Sequence, residues 1–205
     1  MATGDAGTSG GVEGNGRLTG TLGVVLLVLL FAEGLTVLDI EGLLTPHVFL
    51  GVLVVPPAAA KIATTTYRFA RYYARSPEYV RRGPPHPLLR LTGPLLVLST
   101  VVLLASGLWL VAVRRDQADV VLTVHKAGFV VWFGLMTVHV LGHLRDVFAL
   151  AARDWRPRVP GGRAGRGLRV AGTLLVLALG VGSAVVVTPQ ASSWTDRVGE
   201  DLGER

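Results

Sequence analysis

Three histidines, His125, His139 and His143, fall within the apolar stretch "LTVHKAGFVVWFGLMTVHVLGHL", residues 122–144. An imidazole can hold a metal through a ring nitrogen or pass a proton. Among lipid chains an ionisable group is costly to bury and is usually retained for function. His125 and His139 are 14 residues apart, about 21 Å along a helix, and at ~100° per residue they fall within ~40° of one face. Two imidazoles are thus offered to one interior at two depths. His47 and His86 complete the chain's five histidines.

Composition identifies the elements that must position them. Half of the 205 residues are hydrophobic and only 17% are charged. The apolar residues gather into blocks about as long as a hydrocarbon core is thick, roughly 20 residues. Five blocks are nearly free of charge, at residues 18–40, 47–66, 91–113, 121–144 and 168–188. They predict an all-α polytopic membrane protein with five transmembrane helices and a membrane domain over 18–188. Residues 1–17, "MATGDAGTSGGVEGNGR", are rich in Gly and small polar residues and lack a basic n-region. They are expected to be a disordered tail and not a signal peptide. Residues 189–205 are expected to be a polar, mobile tail.

The arginines set the topology. Arg68, Arg71, Arg75, Arg81, Arg82 and Arg90 follow the second block, and Arg145, Arg153, Arg156, Arg158, Arg163, Arg166 and Arg169 follow the fourth, thirteen of the twenty Lys and Arg. The other side holds only the "LDIEGL" turn and the short "RRDQAD" loop. The positive-inside rule then puts both basic loops and the amino terminus in the cytoplasm of a cell with this plasma membrane, and the carboxyl terminus outside. Arginines flanking spans meet anionic lipid headgroups. No recognition motif accompanies the charge, so membrane lipid is the expected partner and nucleic acid is not.

With that topology the histidines sort by depth. His47 opens the second helix and His125 lies about one turn into the fourth, both at the outer face. His139 and His143 lie near the inner end of the fourth helix. His86, in "GPPHPLLR", lies where the third leaves the cytoplasmic loop. An outer pair and an inner group suit two flat macrocycles, one near each surface, each held between helices by two imidazole nitrogens. Gly51, Gly128 and Gly142, one turn beyond His47, His125 and His139, are expected to clear room for something bulky. His143 also suits an interfacial role and His86 a capping one. The only lysines, Lys61 and Lys126, lie where an ammonium could pair with a propionate or snorkel to headgroups. Glu33, the one acid in "LLFAEGLTV" of the first span, could bond a ligand, pass protons or serve packing.

Absences narrow the chemistry. Without cysteine there can be no c-type haem attachment, no Cys-ligated iron–sulfur cluster and no disulfide. No Gly-rich dinucleotide fingerprint is present.

The segments "YRFARYY", "GPPHPLLR" and "HKAGFVVWF" carry a resemblance. Over about residues 20–188 the chain resembles the four-helix b-type cytochromes of bacterial membranes, which include the membrane subunits of formate dehydrogenase and nickel-iron hydrogenase. It is more closely similar to a group of actinobacterial integral membrane proteins. The resemblance implies a haem-binding four-helix bundle core and two haems b, with electron transfer between a quinone and a redox partner as a subunit of an oxidoreductase. Carried over by position, His47 and His125 match the outer ligand pair and His139 an inner ligand, completed by His86 or His143. The competing classes are a proton-coupled transporter using Glu33 and the histidines, and a haem-free membrane anchor.

Overall fold

The computed structural model describes residues 6–81, 87–155, 165–191 and 194. Among these residues the regular structure is helical: α1 Ala6–Val37, α2 Leu44–Tyr73, the short α3 Pro77–Val80, α4 Pro87–Ala112, α5 Asp119–Trp155 and α6 Arg166–Val187. Five helices contain segments long and apolar enough to cross a membrane, Val12–Val37, Leu44–Tyr73, Arg90–Ala112, Asp119–Gly142 and Arg166–Ala191. This is the build of a multi-pass membrane protein, since a helix satisfies its own backbone hydrogen bonds where no water can.

Helix α1 starts earlier than the sequence reading expects. The glycine-rich stretch assigned to a disordered tail is helical from Ala6 onward. Tertiary contact outweighs the poor helix propensity of glycine here. Val12 and Arg17 are buried, Arg17 pairs with Glu13 one turn back, and the Asn15 amide donates to the Thr64 carbonyl of α2 at 3.4 Å.

Helices α1 and α2 form an antiparallel hairpin. Lys61 Nζ donates to the Thr19 carbonyl at 2.6 Å near one end, and His47 meets Glu33 and Thr36 at the other. Helices α4 and α5 form a second hairpin, stitched at its middle by Trp132 Nε1 donating to Thr100 Oγ1 at 3.0 Å. The two hairpins close into a ring in which α1 packs on α2 and α5, and α4 packs on the same two. Helices α2 and α5 therefore face each other across the diagonal. Leu26, Val54 and Ala58 centre the interior, with Leu29, Leu30 and Leu104 against them.

Helix α6 lies outside the ring, mainly against α2, through Ala184 on Val52 and Leu53. Helix α2 runs on through Pro56 and Pro57, whose missing N–H groups leave the Val52 and Leu53 carbonyls without their usual donors. Gly180 of α6 sits against the Leu53 carbonyl so closely that a Cβ there would lie 2.5 Å from the oxygen. The Cα hydrogen in place of that Cβ points at the freed carbonyl, a weak C–H···O contact. The outward faces of α4, α5 and α6 carry exposed Leu98, Val130 and Leu174, as lipid contact requires.

At the far end of the α1–α2 hairpin arginine and tyrosine interlock. Arg90 Nε donates to the Tyr73 hydroxyl at 2.7 Å, and Arg71 lies over the Tyr79 ring. Such residues suit the level of the headgroups, with an apolar body and a polar tip.

Candidate functional site

The site begins with a turn. After α1, Asp39 accepts hydrogen bonds from the backbone N–H of Gly42 on its side chain, at 3.1 Å, and of Leu43 on its carbonyl, at 2.9 Å. Gly42 fits the turn closely, because a Cβ there would lie 2.5 Å from Asp39 Oδ2 and the carboxylate would have to shift. The reversal brings the first turn of α2 back beside the last turn of α1, and so His47 beside Glu33 and Thr36.

His47 Nδ1 lies 3.0 Å from Glu33 Oε1 and 2.9 Å from Thr36 Oγ1. The Thr36 hydroxyl donates its one proton to the Glu33 backbone carbonyl at 2.6 Å, so it offers His47 only a lone pair. A carboxylate likewise only accepts. The network therefore assigns the hydrogen to Nδ1 of His47 and leaves the Nε2 lone pair uncommitted. Gly51 belongs to this arrangement in a way the sequence reading did not foresee. A Cβ there would lie 3.3 Å from Glu33 Oε1, so the glycine gives space to the carboxylate.

His125 is held by the same logic from α4. Its Nδ1 lies 3.2 Å from the Leu103 carbonyl and 3.1 Å from Ser106 Oγ. Ser106 itself donates to the Leu103 carbonyl at 3.0 Å. With a carbonyl and a committed hydroxyl as neighbours, Nδ1 of His125 also carries the hydrogen. Gly107 fits the ring closely, since a Cβ would lie 3.1 Å from His125 Cε1. At Gly128, expected to clear room for something bulky, a Cβ would meet only Val102 Cγ1, at 3.9 Å.

The two rings meet across the bundle with centroids 6.4 Å apart and planes at 81°. All four helices of the ring contribute: Glu33 and Thr36 from α1, His47 from α2, Ser106 and Gly107 from α4, His125 from α5. Thr36 and Ser106 are buried, and the His47 and Glu33 side chains are 22% and 17% exposed. A metal–imidazole bond of about 2 Å on each side, with about 1 Å from nitrogen to ring centre, separates two ring centres by about 6 Å. The observed separation thus fits one metal atom between the rings. Among the described residues no group of three or more His, Cys, Asp or Glu side chains gathers to hold a bare ion.

The other expected site residues spread along the helices. His139 is half-buried on α5 with its Nδ1 enclosed, nearly four turns from His125. His143 belongs to α5 but its side chain lies outside the described residues, as does the whole of His86. Lys61 ties α2 to α1 through the Thr19 carbonyl, and Lys126 is exposed beside His125. The sequence reading did not single out Thr36, Ser106, Gly107 or the Leu103 carbonyl. The one available signal was spacing, because Thr36 follows Glu33 by a single helical turn.

No protein-family model matches the chain, and no curated protein or solved structure matches it either.

Proposed function

We propose that this protein carries electrons within the membrane through b-type haem, with His47 and His125 as the side chains that would hold one haem. The observation that supports this reading best is the pair itself. Two imidazoles from diagonally opposed helices, each with its hydrogen on Nδ1, approach with ring centroids 6.4 Å apart. A porphyrin brings four equatorial nitrogens of its own, so two imidazoles and no further side chain complete the iron. When bound, haem supplies a one-electron couple. Glu33, Thr36, Ser106 and the Leu103 carbonyl fix the tautomer and angle of the rings, the role that outer-shell partners have at metal sites. A haem held by both imidazoles would be suited to electron transfer rather than oxygen activation.

The resemblance to b-type cytochromes extends the proposal. A second haem is held by His139 with His86 or His143. Quinone and a redox partner protein are donor and acceptor. The arginine distribution favours a plasma membrane location with the His47 end outside. The decisive experiment is a reduced-minus-oxidised spectrum of the purified protein with a pyridine haemochrome assay. Two noncovalent haems b per chain are expected; one would leave the His47–His125 site alone, and none would refute the reading. The buried Glu33 Oε2, which has no hydrogen-bond partner among the described residues, favours a proton-coupled transporter as the second reading. A haem-free protein that acidifies the lumen of sealed vesicles would establish it.

A further inference from the structure

We infer that Glu33 is a positioning residue that lowers the reduction potential of the haem held by His47. The inference rests on the haem reading above and goes beyond it by assigning a task to a side chain that does not ligate the iron.

The two imidazoles are backed unequally. The Nδ1–H of His125 faces a carbonyl at 3.2 Å and a hydroxyl at 3.1 Å, both neutral. The Nδ1–H of His47 faces a carboxylate oxygen at 3.0 Å. A charge-assisted hydrogen bond is stronger than a neutral one, and a carboxylate behind a ligating histidine raises the basicity of its other nitrogen. A more basic axial nitrogen stabilises ferric over ferrous iron. The negative charge adds to this directly, because it acts where the dielectric is low.

The surroundings hold the carboxylate to that task. Gly51 leaves the space that Oε1 occupies, with a Cβ there only 3.3 Å away. Thr36 shares the His47 hydrogen and has its own proton committed to the Glu33 carbonyl. Oε2 is buried and has no hydrogen-bond donor among the described residues, so that oxygen's charge is not drawn toward another donor there. The couple at stake is ferric iron taking one electron to become ferrous, and the carboxylate opposes that step.

The test is a mediated potentiometric titration of the full-length protein in detergent, with dithionite as reductant and ferricyanide as oxidant. Glu33→Gln keeps an oxygen that can accept from Nδ1 and removes the charge. The expected result is full haem content with one midpoint raised by about 59 mV or more, a tenfold higher ferrous-to-ferric ratio at fixed potential for a one-electron couple. Glu33→Asp, which restores the charge, should return the midpoint toward its native value. Full haem in Glu33→Gln with no midpoint moved overturns the inference and leaves the haem reading standing. Loss of haem from Glu33→Gln, with Glu33→Asp loaded at the native potential, also overturns it, because the carboxylate would then serve assembly. A native protein without haem removes the haem reading itself.

Discussion

Replacing Gly180 by alanine probes a close approach of α6 to the α2 backbone, and Gly182 supplies its control on the same helix. A Cβ at position 180 would lie 2.5 Å from the Leu53 oxygen and 3.4 Å from its carbonyl carbon, while one at 182 meets nothing within 4 Å. The obstacle is backbone and cannot swing aside, so α6 must withdraw locally by roughly 0.9 Å, an overpacking that costs about 1–3 kcal/mol. Withdrawal also lengthens the C–H···O contact to the carbonyl that Pro57 leaves without a donor. Both variants gain up to about 1 kcal/mol in helix propensity, so their difference isolates the clash. For a chain of this size 1 kcal/mol moves Tm by about 2–4 °C, and Gly180→Ala should melt about 2–12 °C below Gly182→Ala. Thermal unfolding in detergent, followed by far-ultraviolet circular dichroism, measures the gap. Equal melting temperatures would refute the packing of α6 on α2 at Leu53.

The histidine site yields further expectations. His47→Ala and His125→Ala should each abolish the same haem's low-spin absorbance and leave any second haem in place, and a native spectrum in either would remove the pair as ligands. Because the two ring planes cross at 81°, the ferric site should give a highly anisotropic low-spin electron paramagnetic resonance signal, since crossed imidazoles leave the two iron π orbitals nearly equal in energy. A rhombic signal would contradict the ring geometry. Gly107→Ala sets a methyl 3.1 Å from His125 Cε1, whereas Gly93→Ala on the same helix meets nothing within 4 Å. The first should therefore shift the haem spectrum and the second should not. Of His86→Ala and His143→Ala, the former should remove the second haem, because His139 and His143 are four residues apart on one helix and cannot reach opposite faces of a macrocycle.

The sequence reading found the five spans, and the shared level of His47 and His125, because two short turns fix the starts of α2 and α5 at one end. It marked apolar spans, and the helices run past them. Charge ends an apolar block without ending a helix, so α2 continues through Tyr73 and α5 through Trp155, where Ala, Leu and Arg are good helix formers. It likewise took residues 6–17 for a tail, since glycine-rich sequence does not show a contact such as that of Asn15 with Thr64 of α2. The partners of the histidines were harder to read. A lone Thr36 or Ser106 in an apolar run has no periodicity to mark it, and its importance arises only when the neighbouring helix supplies an imidazole. Glu33 was legible as an anomaly of charge. Its contact with His47 depended on the Asp39–Gly42 turn, whose geometry a hydropathy pattern does not carry.

The hairpin architecture also bears on how the protein is made. Helix α5, with His125, Lys126 and His139, has the least apolar of the five spans, and α4 is among the most apolar. A less apolar span inserts less readily alone, since its transfer into the bilayer is less favourable. The turn over residues 113–118 and the Trp132–Thr100 bond suit α4 and α5 to enter together, the apolar partner carrying the polar one. The α1–α2 pair is a second such unit. Each hairpin holds its histidine through neighbours of its own, His47 through Glu33 and Thr36, His125 through Ser106 and Leu103. The site is thus divided between two hairpins, and the two histidines meet only where one hairpin packs on the other.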